Sequence, residues 1–503
     1  MSKRSALLPL SILILASMIL AMAGCQPTAA PTSVPPTSAP VESEPETEAE
    51  PETEAQPETE PEEEAEPEEE AEPEAEAEPE GKFWSEPLEL TSDYQGELVL
   101  WDWGFEARNN WVQKYIDEWQ ADHPGVTIRY EIMPESDVGS KLSTAVVAGT
   151  GPDFSVLNLE WRTEFQRNGL LEPLPAEFFP EEWRNLLYST PYARTDDGNI
   201  YVTSVGAMGA VMYWDKSIFA DAGLTEEDVP ETWDELIDLA QELTVWNDDG
   251  TLDRAGFGIN GMPVWMWFDL VAQKGGHFYD EEVDQALWTE TASVEAAQLV
   301  KDLYMTYEVT SPDVPWWGEL FCNGKAAMGY AYSWFPGWAN SNCPDKVVDL
   351  GIAPLPTFDN APAQGLQLEE DFIGVFSYVD PEKKALIWDF LHFLLLEDDE
   401  RIIELALDFG VPPDRMDLAD DPRIMENDLL RVGAEVAPYS VRPGPLPMFG
   451  DHHAFLTTAF EEMLLQDASP EQALSSAVDQ ANLDLEASGK TYISTEYQYT
   501  PPE

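Results

Sequence analysis

Three cysteines and five histidines in 503 residues leave little material for metal or thiol chemistry. The histidines are His123, His277, His392, His452 and His453, and no Cys/His group has metal-ligand spacing. The His452-His453 pair reads as part of a loop. Basic residues are scarce too, with 25 Lys and Arg against 98 Asp and Glu. Nucleic acid needs a basic footprint that displaces phosphate counterions, and an anionic lipid surface needs a polybasic patch; the sequence offers neither. It also lacks a Gly-x-Ser-x-Gly elbow, a His-Glu-x-x-His pair and a Gly-x-x-x-x-Gly-Lys-Ser/Thr loop. No cofactor and no catalytic residue is expected. So many carboxylates must bring some pairs together by chance, which makes a carboxylate pair weak evidence for glycoside hydrolysis.

The formal net charge of −73 has two sources. Residues 42–80 hold 21 Glu and no basic residue, while residues 81–503 hold 77 acids and 23 bases. The first segment has nothing to bury and repels itself, so it reads as an extended tether, continuous with the Pro/Thr/Ser/Ala stretch 26–41. From residue 26 to about 92 it would span roughly 50 Å as a coil, or about 200 Å fully drawn out. The second segment contains all 18 Trp, which rules out disorder and describes a folded body. Its length suits two or three domains or one large two-lobed unit.

The start of the chain reads as an export address. Met1–Arg4 is basic, Leu7–Met22 is apolar but short for a bilayer span, and small residues follow. Met22-Ala-Gly-Cys25 resembles a bacterial lipobox, although Leu is usual where Met22 stands. That resemblance implies a lipoprotein signal peptide over 1–24, diacylglycerol on Cys25, a tether over 25–92 and a body over 93–503, held at the outer face of the cytoplasmic membrane. Cys322 and Cys343 are then the only two thiols of an exported body. An even count in an oxidising compartment favours a disulfide, with two buried free thiols as the alternative.

Within the body, strands alternate with helices, which indicates an α/β architecture with a largely parallel sheet. Glu97–Trp103, Val126–Met133 and Asp153–Leu157 read as strands. Asn109 reads as the cap of a helix carrying Trp111, Tyr115, Ile116 and Trp119, and 136–148 as a second helix. Thr232-Trp-Asp-Glu235 fits a capping box. Helices are expected near 293–307, 381–396, 451–465 and 470–487, and strands at 325–332 and 350–355.

Six sequence blocks stand out in order. The first three are Leu98-Val-Leu-Trp-Asp-Trp103 with His123-Pro-Gly-Val-Thr-Ile128, Gly149-Thr-Gly-Pro-Asp153 with Asn168-Gly-Leu-Leu-Glu-Pro-Leu174, and Met212-Tyr-Trp-Asp-Lys-Ser-Ile-Phe219. Asn323-Gly-Lys-Ala-Ala-Met328, Leu350-Gly-Ile-Ala-Pro-Leu-Pro356 and Ser469-Pro-Glu-Gln-Ala-Leu474 follow. Taken together they resemble the sugar-binding, maltose-binding-like family of extracellular solute-binding proteins that serve bacterial ABC importers, and the resemblance covers almost all of 95–490. Asp215 stands where Asn is usual in the family, and Ser217 where Asp often stands. The resemblance implies a type II two-lobed fold, with lobe 1 over about 95–205 and 353–397 and lobe 2 over about 206–352 and 398–495. It further implies a monomer that closes on a sugar, without turnover, and passes it to permease subunits.

A sugar presents apolar C–H faces and a rim of hydroxyls, which suit Trp rings and planar polar groups respectively. Carried over from the family, the expected ligand contacts are Trp103, Glu106, Asn158, Glu160, Trp161, Trp265, Trp334 and Glu370, with Asp371 beside the last. Trp334 is the foremost. Trp101, Trp111 and Trp233 read as core; Trp316-Trp317 reads as a cleft rim or as a loop packed on the lobe, with packing favoured. Two other readings stay open. Trp cages with carboxylates also suit a cation such as a polyamine, and a surface glycan hydrolase would need two poised carboxylates.

Overall fold

The computed structural model describes residue 92 and residues 94–190, 198–280, 285–370, 372–441 and 451–488. All lie within the compact unit Ala77–Glu503. Residues 1–91, and with them the signal peptide, Cys25 and the tether, lie outside the described residues.

Two sheets organise the chain. Strand β1 (Gly96–Trp103) runs parallel to β2 (Val126–Met133) and β3 (Phe154–Leu157), and the sheet is extended towards β4 (Val202–Thr203) by an antiparallel strand that arrives late in sequence. Helix α1 (Glu106–Asp122) returns from β1 to β2, α2 (Glu135–Val147) from β2 to β3, and α3 (Leu159–Arg167) follows β3. Each parallel pair needs such a crossover. All ten residues of β5 (Gly206–Asp215) are buried, and β5 is an interior strand of the second sheet. That sheet adds β6 (Val245–Trp246) and β7 (Leu252–Gly258); a small hairpin, β8 (Tyr279–Asp280) and β9 (Gln285–Ala286), stands apart. β10 (Ala326–Tyr332) lies between β7 and β5, parallel to the first, and β11 (Leu350–Pro354) flanks β5. β12 (Gln367–Glu370) pairs with the beginning of β5, and β13 (Phe372–Val375) then joins β3 and β4 in the first sheet.

The chain therefore crosses between sheets at 204–206 and again at about 371. A third crossing follows the Asp399–Phe409 helix, where the carbonyl of Pro412 accepts the N–H of Ala207. The expected break at 353 falls inside β11, which pairs with β5, so 353–366 stays with the second sheet. Gln273 holds that segment there by donating to the carbonyls of Pro356 and Gln364. The Asp399–Phe409 helix, expected with lobe 2, packs on α1: Trp111 donates to the Arg401 carbonyl at 2.8 Å and Lys114 pairs with Glu404.

Asn109 does not cap α1. The helix starts at Glu106, and Asn109 sits one turn in, where its side-chain oxygen accepts the N–H of Phe105 at 2.7 Å. The capping box at Thr232 and Glu235 forms as the pattern predicts. His452 and His453 belong to the first turn of the Asp451–Leu465 helix rather than to a loop. His452 is buried against Tyr279 and Asp484. Among the described residues no helix is long and apolar enough to cross a membrane, and no group of three His, Cys, Asp or Glu can hold a metal ion.

Candidate functional site

The carboxyl ends of the parallel strands carry or lead to Trp103 and Asn158 in the first sheet and Trp334 in the second. On the first sheet, β1 ends at Trp103 and β3 runs into Asn158. The buried Asp102 ties this end together: it accepts from Arg108 at 2.6 Å, from Asn109 at 3.0 Å and from the Tyr130 hydroxyl on β2. Burial, then the charge of Asp102, raises the Tyr130 phenol well above its ordinary range, so it stays a donor.

That network changes the role expected of Trp103. The Arg108 guanidinium lies 4.4 Å over its ring, and Trp161 meets it edge to face at 5.2 Å. Only 6 % of Trp103 remains exposed, so it supports Trp161 and offers no open face to a ligand. Trp161 is half-buried, seated against α2 where Gly139 leaves room: a Cβ there would stand 2.8 Å from the indole nitrogen. Asn158 is the N-cap of α3, its oxygen accepting the N–H of Trp161 at 2.9 Å, so it fixes the start of the helix that carries Trp161. Glu160 lies in the first turn of α3 and Glu370 ends β12, but their side chains fall outside the described residues, as does Asp371.

On the second sheet, Trp265 lies in the Pro263–Gln273 helix, half-buried against Tyr332 at 6.0 Å and His453 at 5.3 Å. Burial lowers the His453 pKa to about 4, so it faces Trp265 as a neutral ring. Behind it, the buried Asp269 accepts from the hydroxyls of Tyr330 and Tyr332 and from the N–H of Leu366. Trp334 caps the Phe335–Asn342 helix at the end of β10.

Trp334 is not alone. Trp316 stacks on it at 6.2 Å and 21°, and Trp338 meets Trp316 edge-on at 4.3 Å. All three indoles are half-buried. Two glycines make the seat of Trp316, since a Cβ on Gly261 or Gly318 would lie 2.6 or 2.5 Å from its ring. Trp317 takes the packing role expected of both, lying over Gly258 and Gly329 of β7 and β10. The sequence reading leaves Trp316 between cleft rim and packing, favouring packing, and does not single out Trp338. For Trp338 a signal was present: it stands four residues after Trp334, hence on the same helix face.

Glu106 opens α1 on a separate feature, a polar groove of about 580 Å³. Asn110, Lys114, Glu404 and Asp408 line it from α1 and the Asp399–Phe409 helix, and Asn340 and Ser341 from the Phe335–Asn342 helix. The lining of this groove includes Trp111 but none of Trp161, Trp265, Trp316, Trp334 and Trp338. Beside the groove, Phe105 meets Phe409 at 4.7 Å, and the Phe409 carbonyl lies against Gly337.

Two sheets of this order, each with helices on its flanks and joined by crossing strands, also occur in known binding proteins. The family model described as bacterial extracellular solute-binding protein matches residues 105–400. The chain belongs to that family. Its place is accordingly outside the cytoplasm, and its fold is the two-lobed type II binding-protein fold. The maltotriose-binding protein of Pyrococcus abyssi is 23% identical over 378 residues, covering 73% of this chain and 78% of that protein. The arabinooligosaccharide-binding protein of Halalkalibacterium halodurans is 24% identical over 433 residues, covering 78% and 91%. An ABC transporter solute-binding protein of Thermotoga lettingae, solved with α-D-tagatose bound, superposes with a TM-score of 0.67 at 20% identity, over 78% of this chain and all of that one.

Proposed function

We propose that the chain captures an oligosaccharide between its lobes and delivers it, unaltered, to the membrane subunits of an ABC importer. The observation that carries this reading is the indole wall of Trp316, Trp334 and Trp338 on one lobe, with Trp161 presented by the other. Flat half-buried rings suit the C–H faces of successive sugar units. The named relatives point to the same ligand class, since two of them are described as binding oligosaccharides. Hinge closure about the crossing strands would select a closed state that a permease can read. The working protein is a monomer held by lipid on Cys25, with residues 25–92 as its tether.

Calorimetry with linear oligosaccharides, spermidine and a quaternary amine tests the assignment. Sugar binding without product formation is expected, and Trp334→Ala should weaken it by about 2 kcal/mol, roughly thirtyfold. Binding of spermidine and of no sugar would move the ligand to the cationic class. Cleavage of the sugars would make the protein an enzyme. Cys25→Ser should release the protein from the membrane fraction, and its retention there would refute the lipid anchor.

A further inference from the structure

Two short helices carry the Trp316–Trp334 pair, and both carry it in the same way. Trp316 is the N-cap residue of the Trp317–Cys322 helix, and Trp334 is the N-cap residue of the Phe335–Asn342 helix. At the other ends stand Cys322, the last residue of the first helix, and Cys343, the C-cap of the second. These two cysteines are joined in a disulfide, with Cα atoms 5.6 Å apart. One pair of ends is tied covalently and the other bears stacked indoles.

Helices of six and eight residues have little stability of their own, so contacts must set their mutual position. Between them lie Trp317 on Phe335 at 4.2 Å, Phe321 on Phe335 at 5.8 Å and Trp316 on Trp338 at 4.3 Å. Apolar packing of this kind is non-directional and allows one helix to slide along the other. A covalent tie does not. At 1.5 Å per residue the tie lies about 10 Å from the indoles, so a slide at the cysteines arrives at the rings undiminished.

We infer that the Cys322–Cys343 disulfide is a positioning device for the ligand platform: it holds the two helices in the register that keeps Trp316 stacked on Trp334, and ligand affinity depends on it. The affinity half of this inference rests on the reading of the cleft as a sugar site; the stacking half does not. Neither cysteine needs to touch the ligand.

The test uses the full-length protein with both cysteines changed, Cys322→Ser together with Cys343→Ser. The first readout is the share of the indole exciton couplet in circular dichroism that Trp334→Phe removes, since other close indole pairs contribute the rest. The second is calorimetric affinity for a linear oligosaccharide that the unaltered protein binds. That share should shrink and affinity should fall about tenfold, the cost of lost preorganisation. Leu142→Ala, a cavity in the distant first lobe, is the control: it should lower stability while leaving the Trp334 share intact. If the double variant does not fold, the native protein is treated with dithiothreitol, which supplies two electrons and two protons and converts the bridge to two thiols. The Trp334 share should fade on reduction and return on reoxidation. An unchanged share in a folded protein without the bridge overturns the inference, as does a lost share with unchanged affinity. If the unaltered protein binds no sugar, the proposed function fails, and the Trp334 share alone then decides the positioning role.

Discussion

Trp161 and Gly139 give a residue-scale case in which stability and binding should part. A Cβ at position 139 would stand 2.8 Å from the indole nitrogen of Trp161, yet Gly139 lies inside α2, where alanine is the better helix former by about 1 kcal/mol. Gly139→Ala should therefore leave the urea midpoint level or slightly higher while sugar affinity falls several-fold. A lowered midpoint with full affinity would show that Trp161 has another seat. Asp269 offers a second case. Burial pushes its carboxyl up to about 7, against the opposing pull of the Tyr330, Leu366 and Tyr332 hydrogen bonds. The folded state thus prefers the protonated acid. Its contribution to stability is complete below the ordinary carboxylate pKa near 4 and is lost as pH rises to about 7. Asp269→Asn cannot ionise, so its unfolding free energy should fall less between those pH values, by up to about 1.4 kcal/mol per pH unit. Parallel profiles for the two proteins would refute this role. Residue roles of this kind were the least legible part of the sequence. Trp103 reads as a ligand stack because it ends β1, but Arg108, six residues away from the buried Asp102, covers it, and that contact has no signature in spacing.

At the scale of elements, the Phe335–Asn342 helix meets the Asp399–Phe409 helix at Gly337, where the first helix has no room for a side chain. A Cβ on Gly337 would stand 2.1 Å from the carbonyl oxygen of Phe409, which cannot retreat because Phe105 packs on the same residue. Gly337→Ala should force the helices apart and cost about 1–3 kcal/mol, typical of overpacking. The first helix serves the second sheet and the other packs on α1, so the same change should alter the lobe angle. Small-angle scattering of the unliganded variant is expected to give a changed radius of gyration, and an identical curve would count against a lobe contact here. Most elements were legible beforehand. β2 matches its reading end to end, and the Pro381–Leu395 helix falls within one residue of it, because hydrophobic period and Pro/Gly punctuation are local properties. The misreadings were tertiary. Asn109 has the chemistry of a cap but uses it from inside the helix, since Asp102 and Tyr130 hold it there. The break expected at 353 failed because β11 continues a pairing with β5, which lies about 140 residues earlier.

For the whole molecule the governing quantity is charge. Bases are so few in the body that several are shared between two acids. Lys346 joins Asp215 and Asp349, Arg415 joins Asp399 and Asp417, Arg423 joins Glu400 and Asp421, and Arg431 joins Asp428 and Glu435. The exposed ones, at Arg423 and Arg431, contribute little each, whereas Arg415 and Asp215 are buried and their pairs are screened less. The many acids left over repel one another, and that repulsion opposes the compact state. Added salt weakens both effects, since the screening length drops from about 10 Å at 0.1 M to about 3 Å at 1 M. With acids outnumbering bases more than threefold after residue 80, relief of repulsion outweighs loss of pairs. The melting temperature should rise between those salt concentrations; a fall would mean that the shared pairs dominate. The same titration separates the two ligand classes. A neutral sugar held on Trp faces keeps its affinity as the field is screened, whereas a cation drawn by the acidic body loses its long-range attraction. Constant sugar affinity alongside rising stability is the expected combination, because it requires charge to govern the fold and the indoles to govern the ligand.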